Sequence, residues 1–123
     1  MTVCRGIRGA TTADENTGQA IYSATRELLT RLIEANQIDE RDVAAVYFTM
    51  TPDLNAAFPA AAARQLGWND TALMDATEIA VPQSLPRCIR VLILLNTEKE
   101  PKDLVNIYLE GTHVLRLCGV ESP

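Results

Sequence analysis

Between Gln19 and Asn36 the apolar residues Ile21, Ala24, Leu28, Leu32 and Ala35 recur at three- and four-residue steps, and Leu29 and Ile33 widen the stripe. Arg26, Glu27, Arg31 and Glu34 fall mostly off it, so the pattern predicts an amphipathic helix of about five turns. Asn16 or Thr17 is placed to cap its start, and Asn36 is the expected left-handed terminator. Ahead of it, Val3 to Thr11 alternates and carries Gly6 and Gly9, the pattern of a strand with close backbone approaches.

Val43 to Met50 and Val91 to Leu95 are apolar runs, read as strands buried on both faces. Phe58 to Gly67 carries Pro59 near its start and Gly67 at its end, which predicts a short helix. Thr71 to Asp75 and Glu78 to Val81 read as short strands, and Pro82 to Pro86 as a loop. Cys88 to Thr97 encloses the second apolar run, and Pro101 starts another short helix. Ile107 to Glu110 and His113 to Leu117 read as closing strands, followed by a loose tail from Cys118. The order β-α-β-α-β-β-β-α-β-β is that of an α/β (α+β) domain, a mixed β-sheet with packed helices. The expected division is one domain over residues 1–117 and a flexible tail over 118–123.

Length changes this picture in one respect. A deep pocket is hard to build from 123 residues alone, so an oligomer in which a second copy supplies a wall is the starting expectation. The net charge of −5 and the lack of any basic run argue against nucleic acid or a membrane surface as partner. A small anionic ligand stays open, because it responds to the local field. Cysteines 4, 88 and 118 are odd in number and widely spaced, and His113 is the only histidine, so neither a disulfide framework nor a metal site is expected. Met1 to Gly6 has no apolar leader, and the apolar runs are too short to span a bilayer. A cytoplasmic protein is the expectation.

The chain lacks Gly-x-Ser-x-Gly, a Walker loop and a dinucleotide glycine fingerprint. What remains is a set of polar residues in apolar surroundings: Arg8 beside Ile7 and Gly9, Arg90 beside Ile89 and Val91, Tyr108 between Ile107 and Leu109, and Arg116 between Leu115 and Leu117. On alternating strands each can simply point to water. Arg90 is the least suited to that reading, since it opens a strand read as covered on both faces, where an unpaired guanidinium is costly. Either Glu78 pairs with it in a buried salt bridge, or both face one substrate. Arginines grip carboxylates bidentately, and a fixed cation stabilises negative charge that grows in a transition state. These residues by themselves describe a site for a small acid, with the reaction left open.

Several blocks resemble one family. Arg5-Gly6-Ile7-Arg8-Gly9-Ala10-Thr11-Thr12, Thr51-Pro52-Asp53-Leu54 with Phe58-Pro59-Ala60, Cys88-Ile89-Arg90-Val91, and Tyr108-Leu109-Glu110 with Val114-Leu115-Arg116 keep the order and spacing of the monofunctional bacterial chorismate mutases of the AroH class. The resemblance implies a homotrimer of pseudo α/β-barrel shape with active sites at the subunit interfaces. It also implies a Claisen rearrangement of chorismate to prephenate in aromatic amino acid biosynthesis, without cofactor or metal. It puts Arg90 beside the ether oxygen, Arg8 and Tyr108 on a substrate carboxylate, and Glu78 facing the ring and its hydroxyl. Phe58 and Leu115 form the apolar wall, Arg64 lines the entrance, and Leu73, Met74, Asp75 and Arg116 complete the substrate contacts. Asp75 departs from the family pattern, which has a small or weakly polar residue such as Cys there. Two other readings are a Rid-type trimeric imine deaminase, which lacks the combination of Glu78, Arg90 and Tyr108, and a non-catalytic small-acid-binding module.

Overall fold

A computed structural model describes residues 1–115. The strands β1 (Val3–Thr12), β2 (Val43–Met50), β3 (Ala72–Thr77), β4 (Cys88–Thr97) and β5 (Ile107–Tyr108) form one sheet in the order β3-β2-β4-β1-β5. The central strand β4 runs antiparallel to both β1 and β2, while β3 joins β2 and β5 joins β1 in parallel. Helices α1 (Gly18–Asn36) and α2 (Ala60–Gln65) pack into one core with the sheet. That core holds Ile7, Leu28, Leu32, Val46, Phe48, Ala63 and Ile93.

Both long apolar runs are therefore covered by helices on one face only, which corrects the expectation of two buried faces. In β4, Ile89, Val91, Ile93 and Leu95 are buried, while Arg90 and Leu92 on the opposite face are exposed. In β2, Val46 and Phe48 are buried and Tyr47 is exposed. The helices occupy one side of the sheet, so alternation, rather than hydrophobicity along the run, decides which side chains the single chain covers.

Thr17 caps α1 by accepting the Ala20 N–H at 3.1 Å. The helix ends one residue later than expected: Gln37 takes the left-handed conformation, and Asn36 is the last helical residue. Asn36 is buried and serves another purpose. Its side chain donates to the Val105 carbonyl at 2.9 Å and accepts from the Val105 N–H at 2.8 Å, so a side-chain amide replaces a strand partner for the segment leading into β5. Gly9 lets α1 seat on β1, because a Cβ there would lie 2.8 Å from Leu32 Cδ1 and 3.1 Å from Leu28 Cδ1.

Two further expectations change. Residues 78–81 do not continue as a strand, the Glu78 N–H making a last bond to the Met50 carbonyl at 2.8 Å. The chain after β5 turns instead of extending: Glu110 and Gly111 both adopt positive φ, and the Thr112 carbonyl accepts the Leu115 N–H as helical geometry begins. The Thr112 N–H returns to the Leu109 carbonyl and the Leu115 N–H to the Thr112 carbonyl, so over His113 to Leu115 the backbone is curled into turns and is not extended as a strand. The expected tail over 118–123 lies outside the described residues.

Candidate active site

The face of the sheet turned away from the helices carries the charged residues. Across the β1–β4 and β2–β4 ladders Arg90 stands opposite Ala10 on one side and Thr49 on the other. Leu92 stands opposite Arg8 and Tyr47. Residues directly opposite each other share a face, as do those two apart along a strand. Arg8, Tyr47, Thr49, Arg90 and Leu92 therefore all project the same way, and Tyr108, opposite Ala10 on β5, joins them. With Glu78 from the end of β3 they line a cavity of about 310 Å³.

Local bonds hold each part. The Arg8 N–H donates to Asn106 Oδ1 at 2.8 Å, tying β1 to the residues that precede Tyr108. Thr51 accepts the Cys88 N–H at 2.9 Å and donates to Asp53 at 2.5 Å, and Asp53 accepts the Arg87 N–H at 2.8 Å. Burial pushes the Asp53 carboxyl up, but the Thr51 and Arg87 hydrogen bonds outweigh it and hold the group below the usual carboxylate range. The Thr-Pro-Asp turn thus pins the start of β4, two residues before Arg90.

Arg90 Nη1 donates to Glu78 Oε1 at 3.2 Å, and Thr49 Oγ1 donates to Glu78 Oε2 at 2.5 Å. The pair is only partly buried, with 44% of the Arg90 side chain and 23% of that of Glu78 exposed, so neither charge is sealed from a ligand. Among the described residues Arg8 has no ion-pair partner. Two guanidiniums facing one carboxylate leave the cavity locally positive in an acidic chain, the field a small dianion requires. By contrast, the groove between β1 and α1 is lined by Asp14, Glu15, Glu27 and Glu110 and repels anions.

The remaining candidates lie elsewhere. Leu115 borders an adjoining cavity of about 860 Å³ that shares Glu78 and Arg90 with the first. Met74 is on the open face beside Tyr47 but at the edge strand. Leu73 and Asp75 point to the helix side, opposite the buried Val46 and Phe48. Asp75 accepts the Ala60 N–H at 3.0 Å and so caps α2 from a neighbouring strand. Burial raises its carboxyl above the usual range, against the Ala60 hydrogen bond and the charge of Arg64. Phe58 precedes α2 and Arg64 lies in its last turn, and both are exposed. Arg116 lies outside the described residues. Sequence reasoning misses Tyr47 and Thr49; their two-residue spacing within an apolar strand is the available signal.

Cys88 borders the adjoining cavity and is buried, and burial pushes its thiol up to about 11, with Arg90 acting in the other direction. Fewer than about one in a thousand copies is then thiolate at about pH 7.5. Iodoacetamide should leave Cys88 unmodified in the native protein and alkylate it in concentrated urea. Peptide mass spectrometry reads both, and rapid native labelling would contradict the placement.

The geometry has counterparts. Residues 4–117 match the family model described as chorismate mutase type I. The chain is 51% identical over 113 residues to a protein named chorismate mutase AroH from Thermus thermophilus, covering 91% of this chain and 93% of that one. It is 40% identical over 113 residues to chorismate mutase AroH from Bacillus subtilis (strain 168), covering 91% and 89%. A solved chorismate mutase from Clostridium thermocellum superposes with a TM-score of 0.87 at 49% identity, covering 89% of this chain and 98% of that one. A match that runs from β1 through the residues after β5 takes in every strand that contributes to the cavity, and the chain belongs to the type I chorismate mutases.

Proposed function

We propose that this protein converts chorismate to prephenate in the Arg8–Glu78–Arg90–Tyr108 cavity. The reaction is a unimolecular rearrangement: the ether C–O bond breaks as a C–C bond forms, and no atom enters or leaves. It needs no nucleophile and no general base. The observation that carries the reading is the convergence of two arginines, one glutamate and one tyrosine on one face of the sheet.

The family resemblance gives each residue a part, and its chemistry suits that part. Arg90, the cation at the centre of the face, stabilises the negative charge that grows on the ether oxygen. Arg8 and Tyr108 hold a carboxylate at the β1–β5 side. Glu78 accepts from the ring hydroxyl and faces the positive charge that develops on the ring. Holding the substrate in its compact conformer supplies a further part of the acceleration, since the reacting carbons must meet.

The substrate-contact candidates fall on two sides of the sheet: Arg8, Arg90 and Tyr108 on the open face, Leu73 and Asp75 on the helix side. One copy cannot direct both sets at one ligand. Two copies can, and the open face leaves Tyr47 40%, Leu92 37% and Met74 58% exposed, apolar area that a neighbouring copy would cover. A homotrimer with a site at each interface is the assembly we propose. Among the described residues no helix is long and apolar enough to cross a membrane, and a cytoplasmic enzyme of aromatic amino acid biosynthesis is the proposed setting. The family match and the named relatives favour neither the imine deaminase nor the non-catalytic module.

The test is loss of chorismate absorbance on adding purified protein, with identification of prephenate, beside light scattering for the mass in solution. Turnover at three times the 13.5 kDa chain mass is the expected result. Chorismate binding without turnover would instead support the binding module, and a monomeric active enzyme would overturn the interface.

A further inference from the structure

We propose that Thr49 is a positioning residue for Glu78, keeping that carboxylate from closing fully onto Arg90. The inference rests on the chorismate mutase reading above. Glu78 follows the last residue of β3, and the side chains beyond it do not pack onto the core: Ile79 is 79% exposed and Val81 57%. A free carboxylate beside a guanidinium tends to engage it with both oxygens, two parallel bonds being the preferred geometry of the pair. Here it does not. Arg90 reaches only Oε1, because Oε2 takes the Thr49 hydroxyl at 2.5 Å.

The consequence is a division of labour across one rung of the sheet. Thr49 and Arg90 are direct cross-strand partners, so their side chains start from neighbouring points on the same face. Glu78 lies across both, with one oxygen on each. The single contact leaves Arg90 with donors to spare for a substrate oxygen, and its charge less completely cancelled than in a two-pronged pair. It also fixes the carboxylate in one orientation, with lone pairs left to accept a ligand hydroxyl. Threonine is well matched to this role, because its β-branch restricts χ1 and the hydroxyl is aimed by the backbone and not by a flexible stem.

Thr49→Val keeps the shape and removes the donor. Its kcat for chorismate should fall ~10- to 100-fold, the range expected for losing a hydrogen bond to a charged group. KM should change by less than about threefold, because the benefit of a correctly aimed charge is realised in the transition state. Thr49→Ser restores the hydroxyl and should recover most of the loss. On a Glu78→Ala background, Thr49→Val should cost less than about twofold, since a residue that acts through Glu78 has nothing left to position. A merely structural role predicts equal losses on both backgrounds and would overturn the inference, as would wild-type kcat in Thr49→Val. Thermal melts accompany each variant, with Thr49→Ala taking the place of valine should that protein not fold. Absence of turnover by the wild type would strike the mutase reading itself and the inference with it; an active wild type with an unaffected valine variant strikes the inference alone.

Discussion

Arg90→Ala is expected to fold, to bind chorismate, and to lose at least ~10²–10³-fold in kcat, the effect of removing one preorganised donor from a developing oxyanion. The side chain lies on the open face with 44% of its surface exposed, so its removal leaves no cavity in the core. The loss should fall on kcat more than on KM. The ether oxygen carries little charge in the bound substrate and much more as its C–O bond breaks, so the interaction is strongest where it lowers the barrier. Arg90→Lys keeps the charge but loses the planar fork, and should fall between the two, because a single ammonium cannot serve Glu78 and a ligand in the geometry that a guanidinium spans. Steady-state kinetics with circular dichroism of the same samples make the comparison. A folded Arg90→Ala protein of undiminished kcat would end the electrostatic mechanism, whatever the fold.

Phe48→Ala carries the largest expected stability change, about 3–5 kcal/mol. Phe48 is fully buried, one of the largest such side chains, and sits in the cluster that joins β2 and β4 to both helices. It also alternates with Tyr47 and Thr49, so the residue that anchors β2 to the core holds the strand that presents the site. Loss of activity should therefore accompany loss of stability, in contrast to Arg90→Ala. Urea unfolding at matched protein concentration is the measurement, since assembly makes apparent stability depend on concentration. A change below about 1 kcal/mol, the typical single-substitution cost, would mean that the core relaxes around the missing ring.

What is legible in the chain and what is not follows from the range of the forces involved. The period of Ile21, Leu28 and Leu32 foretells α1 because a helix buries its stripe wherever the chain takes it. Thr17 is legible as a cap because the N–H it serves is three residues away. Asn36 is legible only as a turn former. Its actual partner, Val105, is far off in sequence, and no local pattern announces an amide that will close such a gap. The strand expected after Gly111 fails for a related reason. Apolar alternation over His113 to Leu117 is compatible with a strand, but the Thr112 hydroxyl donates to the Ala10 carbonyl, far off in sequence, and short-range turn bonds curl the chain through Leu115.

The site divides along the same line. Arg8, Glu78, Arg90 and Tyr108 stand out in the sequence as polar residues in apolar surroundings or their partner, the resemblance gives them roles, and the fold brings these four to one cavity from four separate segments. Residues 8 and 90 sit on adjacent strands while lying far apart in the chain, a relation that hydrogen-bond register creates and sequence spacing does not contain. Asp75 illustrates the converse. By composition it is a carboxylate three positions before Glu78, whereas in space it faces the helix side and caps α2. Neighbours along a strand are separated by the sheet itself.

By itself, then, the sequence determined the long helix and the main strands, the helix start, the acidic net charge and, through its blocks, the family. Those properties depend on neighbouring residues or on patterns that survive along the chain. Only the tertiary structure decided that both helices cover the same side of the sheet, that the other side is left with two arginines and an exposed apolar rim, and that Thr49 stands between Glu78 and full neutralisation of Arg90. Each of these is a relation between residues distant in sequence, settled when strand register and helix packing are chosen together, and no linear pattern encodes it.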